Sequence, residues 1–100
     1  MRLSDRQKEI IGQTATRHFG KEVKVFLFGS RSKPALKGGD IDLLLEGLSP
    51  DQMTVRKKVA FIVELKKVLG DQKIDVVYRN SENQNSDFIR IIEKSKIRLC

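Results

Sequence analysis

The spacing of apolar residues changes several times along this chain, and each change marks an element. Ile10, Ile11, Ala15 and Phe19 recur at helical intervals. Ser4 and Gln7 ahead of them form a capping-box pattern, and Gly20 is a natural stop, so a first helix is expected to about residue 19. From Glu22 the pattern alternates, Val23 and Val25 against Lys24, then turns wholly apolar at Phe26-Leu27-Phe28. Such a segment reads as a strand entering the interior of a sheet. A second strand, Asp40 to Leu45, ends in the uninterrupted run Leu43-Leu44-Leu45. Ser49-Pro50-Asp51-Gln52 predicts a second helix starting at Ser49, with Pro50 in its first position. Its expected buried face is Val55, Val59, Ile62 and Leu69, widened by Ala60, Phe61, Val63 and Val68, before Gly70-Asp71 ends it. Lys73 to Tyr78 is a third strand, residues 79 to 85 a polar and mobile loop, and Ser86-Asp87 the cap of a last helix carrying Phe88, Ile91 and Ile92. Ile97 and Leu99 are expected to pack back on the body. The order α-β-β-α-β-α predicts an α/β (α+β) fold, a small mixed sheet flanked by helices.

Composition narrows the class. A chain of 100 residues makes one domain, 1–100, and no stretch approaches the ~20 apolar residues of a membrane span. The first residues lack the apolar core of a signal peptide, and with Cys100 the only cysteine no intrachain disulfide forms, so a cytoplasmic location is expected. The net charge of +7 suits either an anionic partner or simply a solvated basic surface. Locally the signal is sharper: Arg31, Lys33 and Lys37 occupy the linker between the first two strands, with no acid before Asp40. Direct nucleic-acid binding is disfavoured, because four of the five phenylalanines and the single tyrosine fall in core-like patterns.

The candidate chemistry is acidic. Asp40 and Asp42 are two apart on one strand, so they face the same side about 7 Å apart at ~3.3 Å of rise per residue. Two carboxylates held so close repel unless a cation balances them. Asp75 lies on another apolar strand, and if that strand pairs with the second, Asp75 approaches Asp42. An oxygen-rich cluster of this kind suits Mg²⁺, and two such ions about 4 Å apart would stabilise both oxygens of an in-line phosphoryl displacement. The competing reading is a salt-bridged strand end whose partners are the linker cations. Gly29-Ser30 forms a sharp turn after the first strand, with N–H groups and a hydroxyl available to phosphate. His18, the only histidine, is read as a cation favoured by the end of the first helix.

Phe28-Gly29-Ser30-Arg31, Asp40-Ile41-Asp42-Leu43 and Ile74-Asp75-Val76-Val77 together resemble the nucleotidyltransferase superfamily that includes DNA polymerase beta. Chain length and the tail from Phe88 to Lys94 are similar to the minimal nucleotidyltransferase (MNT) domains of prokaryotes. The resemblance implies that Gly29 and Ser30 contact the triphosphate, that Arg31 reaches its β- or γ-phosphate, and that Asp40, Asp42 and Asp75 hold two Mg²⁺ ions, Asp75 also serving as base. The chain departs from the usual pattern in two respects. Nine residues separate Ser30 from Asp40 where ten is commoner, and Gly39 replaces a frequent serine.

The same resemblance implies the substrates. MNT proteins pair with HEPN-domain ribonucleases in type VII toxin–antitoxin modules and transfer AMP from ATP to a tyrosine hydroxyl of the toxin. The expected partners are thus a nucleoside triphosphate and a HEPN toxin, in a homodimer or hetero-oligomer built on apolar residues near Tyr78 or Ile97. The alternative is a non-catalytic subunit that binds a nucleotide or the partner and neutralises it by contact.

Overall fold

A computed structural model describes residues 4–28, 41–70 and 72–99. Helix α1 (Asp5–Phe19) begins as its sequence requires: the Ser4 hydroxyl accepts from the Gln7 N–H at 3.1 Å, and Gln7 Oε1 accepts from the Ser4 N–H at 2.8 Å. Strands β1 (Lys24–Phe28) and β2 (Ile41–Glu46) run antiparallel, and β3 (Ile74–Tyr78) is parallel to β2. A parallel neighbour requires a crossover, supplied here by helix α2 (Val55–Leu69). Helix α3 (Asp87–Ser95) follows, then β4 (Ile97–Arg98), a two-residue strand antiparallel to β1. The four-stranded order is β3-β2-β1-β4, leaving β3 at one edge. The expected mixed sheet with flanking helices is present, with β4 added. Ile97 and Leu99 do return to the body, and the Leu99 N–H donates to the Val25 carbonyl at 2.7 Å.

Alternation along the strands separates two cores. Val25, Leu27, Ile41, Leu43, Leu45, Ile74, Val76 and Tyr78 face Ile11, Ala15 and Phe19 of α1 and Phe61 and Leu65 of α2. Phe26, Phe28, Leu44 and Val77 face the other way, against Ile89 and Ile92 of α3. Because β2 is covered on both sides, Leu43, Leu44 and Leu45 are all fully buried.

Two expectations for the second helix need correction. Ser49 caps only a 3₁₀ turn (Pro50–Gln52): Gln52 returns to the Ser49 N–H but also donates to the Phe19 carbonyl at 2.6 Å, and Met53 leaves helical geometry. The α-helix starts afresh from Thr54, whose hydroxyl accepts from the Lys57 N–H. Its buried stripe is Phe61 and Leu65, with Ile62 and Leu69 partly covered, while Val55, Val59, Val63 and Val68 are exposed. Two apolar stripes compete at the same helical spacing, and the one with the bulkier side chains, which gain more by burial, faces the body. The polar segment after β3 is also better tied than expected. The Asn80 side chain accepts from the N–H groups of Glu82 and Asn83, and the Asn83 amide donates to the Tyr78 carbonyl at 2.7 Å.

Three contacts between elements hold the layers. His18 Nε2 and Glu64 Oε1, 2.8 Å apart, join α1 to α2, and Arg17 pairs with the same carboxylate. His18 lies in the last turn of α1 as expected, and the pairing with Glu64 is added to that position. On the α3 side, Glu46 and Glu93 share Arg79 and Lys96. The Tyr78 hydroxyl donates to the Thr54 carbonyl at 2.7 Å, and burial pushes its phenol pKa up. Tyr78 itself is therefore core, whereas Ile97 is half exposed. Among the described residues no helix is long and apolar enough to cross a membrane.

Candidate active site

The parallel pairing of β2 with β3 sets Ile41 against Ile74 and Leu43 against Val76, so Asp42 falls directly opposite Asp75. Neighbouring strands lie about 4.8 Å apart, which brings the two carboxyl-bearing carbons within reach of one bound ion. Both aspartates alternate with residues of the α1–α2 core, Ile41 and Leu43 around one, Ile74 and Val76 around the other. Their side chains consequently project from the α3 face, in line with Leu44 and Val77.

Neither position is a deeply buried carboxylate, contrary to what the apolar neighbours suggest. The Asp75 side chain is 49% exposed, with Lys73 Nζ at 3.9 Å, and Asp42 is half-buried. The reason lies in α3, whose buried residues Ile89 and Ile92 cover Phe26, Phe28, Leu44 and Val77. A cleft of about 560 Å³ opens beside the aspartates, lined also by Phe28, Val77 and Phe88, and by Lys58 and Ile62 from α2. Phe28 is the register partner of Asp42 on β1, so three strands contribute to one site.

Of the residues predicted from sequence, Asp42 and Asp75 are brought together. Gly29, Ser30, Arg31 and Asp40, with the linker cations Lys33 and Lys37, lie outside the described residues. Among the described residues there is no group of three or more metal-binding side chains. The pair that is present consists of hard oxygen donors at adjacent strand positions, and this donor set fits Mg²⁺ better than a soft metal. Sequence reasoning missed Lys58 and the exposure of Phe88. Phe88 belongs to the apolar stripe of its helix, and only its placement one residue before buried Ile89 shows that it turns outward to the cleft.

Solved structures share this architecture. An MNT antitoxin complex with a tri-AMPylated HEPN toxin of Shewanella oneidensis contains a chain that aligns over 98% of the present one and 72% of its own length, with TM-score 0.72 and 15% identity. A mutant MntA–HpeT toxin–antitoxin complex, in which two aspartates are replaced by glutamate, gives TM-score 0.69 and 14% identity over 98% and 73% of the two chains. These likenesses establish the polymerase beta-like nucleotidyltransferase fold. No curated protein matches the chain. At the level of sequence, the model of the nucleotidyltransferase domain covers residues 8–100, and the chain belongs to that family.

Proposed function

We propose that this nucleotidyltransferase transfers AMP from ATP to a tyrosine hydroxyl of a HEPN-domain toxin and so acts as the antitoxin of a type VII pair. The observation that carries the reading is the opposition of Asp42 and Asp75 across the β2–β3 pairing. It is the part of the predicted acidic site that strand register alone could have separated. The toxin in one of the structural neighbours is itself tri-AMPylated, which supports AMP as the group and a HEPN protein as acceptor. In the other neighbour the two substituted aspartates are two positions apart, the same separation as Asp40 and Asp42.

In this reading Asp40, Asp42 and Asp75 hold Mg²⁺, whose charge offsets that developing on the leaving pyrophosphate. Gly29 and Ser30, which follow Phe28 in the chain, bind the triphosphate through backbone N–H groups and the serine hydroxyl, and Arg31 pairs with its β- or γ-phosphate. Asp75, half exposed on the cleft, accepts the acceptor's phenolic proton. The phenolic oxygen bonds to the α-phosphorus, the bond from that phosphorus to the oxygen bridging to the β-phosphate breaks, and pyrophosphate departs. The products are an O-AMP-tyrosine and pyrophosphate.

The test is incubation of the chain with α-³²P-ATP, Mg²⁺ and a HEPN-domain toxin, sought first in the neighbouring reading frame, followed by mass spectrometry of that toxin. Wild type is expected to add 329 Da adducts, roughly the mass of AMP less water, and Asp42→Asn to add none at matched folding by circular dichroism. Undiminished labelling by Asp42→Asn overturns the mechanism. If that variant labels nothing yet still silences the toxin, neutralisation is by contact alone.

A further inference from the structure

Resting on the acceptor reading above, we infer that Phe88 is a specificity-determining residue, forming with Phe28 and Val77 a ring-binding wall that admits an aromatic hydroxyl to Asp75 and disfavours an aliphatic one.

The cleft has the polarity pattern of a phenol. On the α3 face its wall is apolar, from Phe28, Phe88 and Val77, its carboxylates are Asp42 and Asp75, and Lys58 and Ile62 line it from across the β3 edge. A tyrosine side chain has the same arrangement, an apolar body with a hydroxyl at the tip. Phe88 is 51% exposed although the adjacent Ile89 is only 1% exposed. Its orientation is set by Phe28, at 5.9 Å between ring centroids and 84° between planes. This edge-to-face contact holds Phe88 at the cleft while leaving half of its surface for a second ring. A serine or threonine hydroxyl would bring the polar tip without the apolar body and would leave this wall wet.

Position favours the acceptor over the nucleobase as the ring that binds. The cleft extends from Asp42 across β3, the edge strand, to Lys58 and Ile62 of α2. The triphosphate is assigned to Gly29, Ser30 and Arg31, which follow β1 in the chain, and β1 lies across β2 from β3, so the β3 side is where a partner's side chain enters.

Methyl-labelled protein titrated with N-acetyl-L-tyrosinamide, N-acetyl-L-threoninamide and adenosine tests the wall without requiring turnover. The tyrosine probe should shift the Val77 methyl signals with an affinity roughly two- to tenfold above the threonine probe, the range of one aromatic pair. Phe88→Leu, which keeps an apolar side chain and the fold, should abolish that preference. Equal shifts from both amides, a preference that survives in Phe88→Leu, or displacement of the tyrosine probe by adenosine each overturn the proposal. In the transfer assay, Phe88→Leu should raise KM for the protein acceptor and leave KM for ATP unchanged. If the tyrosine probe binds as expected and wild type transfers no label, the transferase reading falls and the ring site stands. Unchanged acceptor KM in Phe88→Leu, with label transferred, has the reverse meaning.

Discussion

Lys96 Nζ lies 2.7 Å from Glu46 Oε2, joining the residue just after α3 to the last residue of β2. The ammonium also sits 4.0 Å from the centre of the Phe26 ring and donates to Glu93 at 2.8 Å. Burial works to lower the Lys96 pKa, but the hydrogen bonds from Glu46 and Glu93 outweigh it and hold the group above its ordinary value. Only 16% of the side chain is exposed, so the contact is worth more than a surface ion pair. Lys96→Met should destabilise the protein by about 2 kcal/mol, the scale of a lost hydrogen bond to a charged group. Thermal denaturation followed by circular dichroism should show a drop of roughly 10 °C. A change under 2 °C, on the order of a third of a kcal/mol, would show that Ile89, Ile92 and the Arg79 pairings hold α3 without Lys96.

A second ion pair predicts a pH dependence. Glu64 is held below the ordinary carboxyl value of 4.5, first by its hydrogen bond to His18 and further by the Arg17 guanidinium, against a smaller opposing effect of burial. The folded chain therefore binds fewer protons at this site than the unfolded chain does. The stability Glu64 contributes is present above the unfolded value and disappears as pH falls through the lower folded value. Urea unfolding of wild type and Glu64→Gln should show a gap at neutral pH that narrows below about 4.5 and closes in stronger acid. A gap independent of pH would mean that the glutamate acts through packing alone.

Gly47 and Gly70 offer a controlled comparison of backbone strain and collision. Both have positive φ, 83° and 90°. A Cβ at Gly70 meets nothing within 4 Å, whereas at Gly47 it would lie 2.7 Å from the Glu22 carbonyl oxygen. Gly70→Ala should cost about 1–3 kcal/mol, from a positive-φ extended conformation that essentially only glycine adopts. Gly47→Ala adds displacement of backbone at the start of β1 and should cost at least ~2 kcal/mol more, by analogy with overpacked interiors. Equal losses in chemical denaturation would show that the Glu22 segment yields freely.

The local parts of this fold are the ones its sequence reveals. Ser4 with Gln7 and the run Leu43-Leu44-Leu45 carry signals that depend on near neighbours, or on burial from both sides, and both behave accordingly. The face of α2 is different. Val55, Val59 and Val63 repeat at the same interval as Phe61 and Leu65, and only competition for space against α1 and the sheet decides between them. The restart at Thr54 is likewise hidden, because it depends on Gln52 reaching Phe19, 33 positions earlier. In the site, the alternation around Asp42 and Asp75 was legible, and their alignment was conditional on which strands pair. Phe88 gave no signal at all, since exposure of one apolar residue beside a buried one is decided by where α3 lies across the sheet.

The opposed aspartates make the site a place where function and stability pull apart. Like charges directly across a strand pair destabilise by about 0.2–1 kcal/mol, and on the Asp75 side the exposed Lys73, 3.9 Å away, offsets little of that. Asp75→Asn keeps the shape and removes one charge, so in metal-free buffer it should raise stability by about 0.5 kcal/mol. Added Mg²⁺ reverses the ranking if the pair holds the ion. At ten times its dissociation constant a bound ion stabilises the folded state by about 1.4 kcal/mol, a gain the variant should largely lose. Urea melts of both proteins in EDTA and in Mg²⁺ give the four free energies needed. A wild type that is indifferent to Mg²⁺ would remove the cation from the site, and a variant less stable than wild type in EDTA would show that Asp75 is there for its partners within the fold.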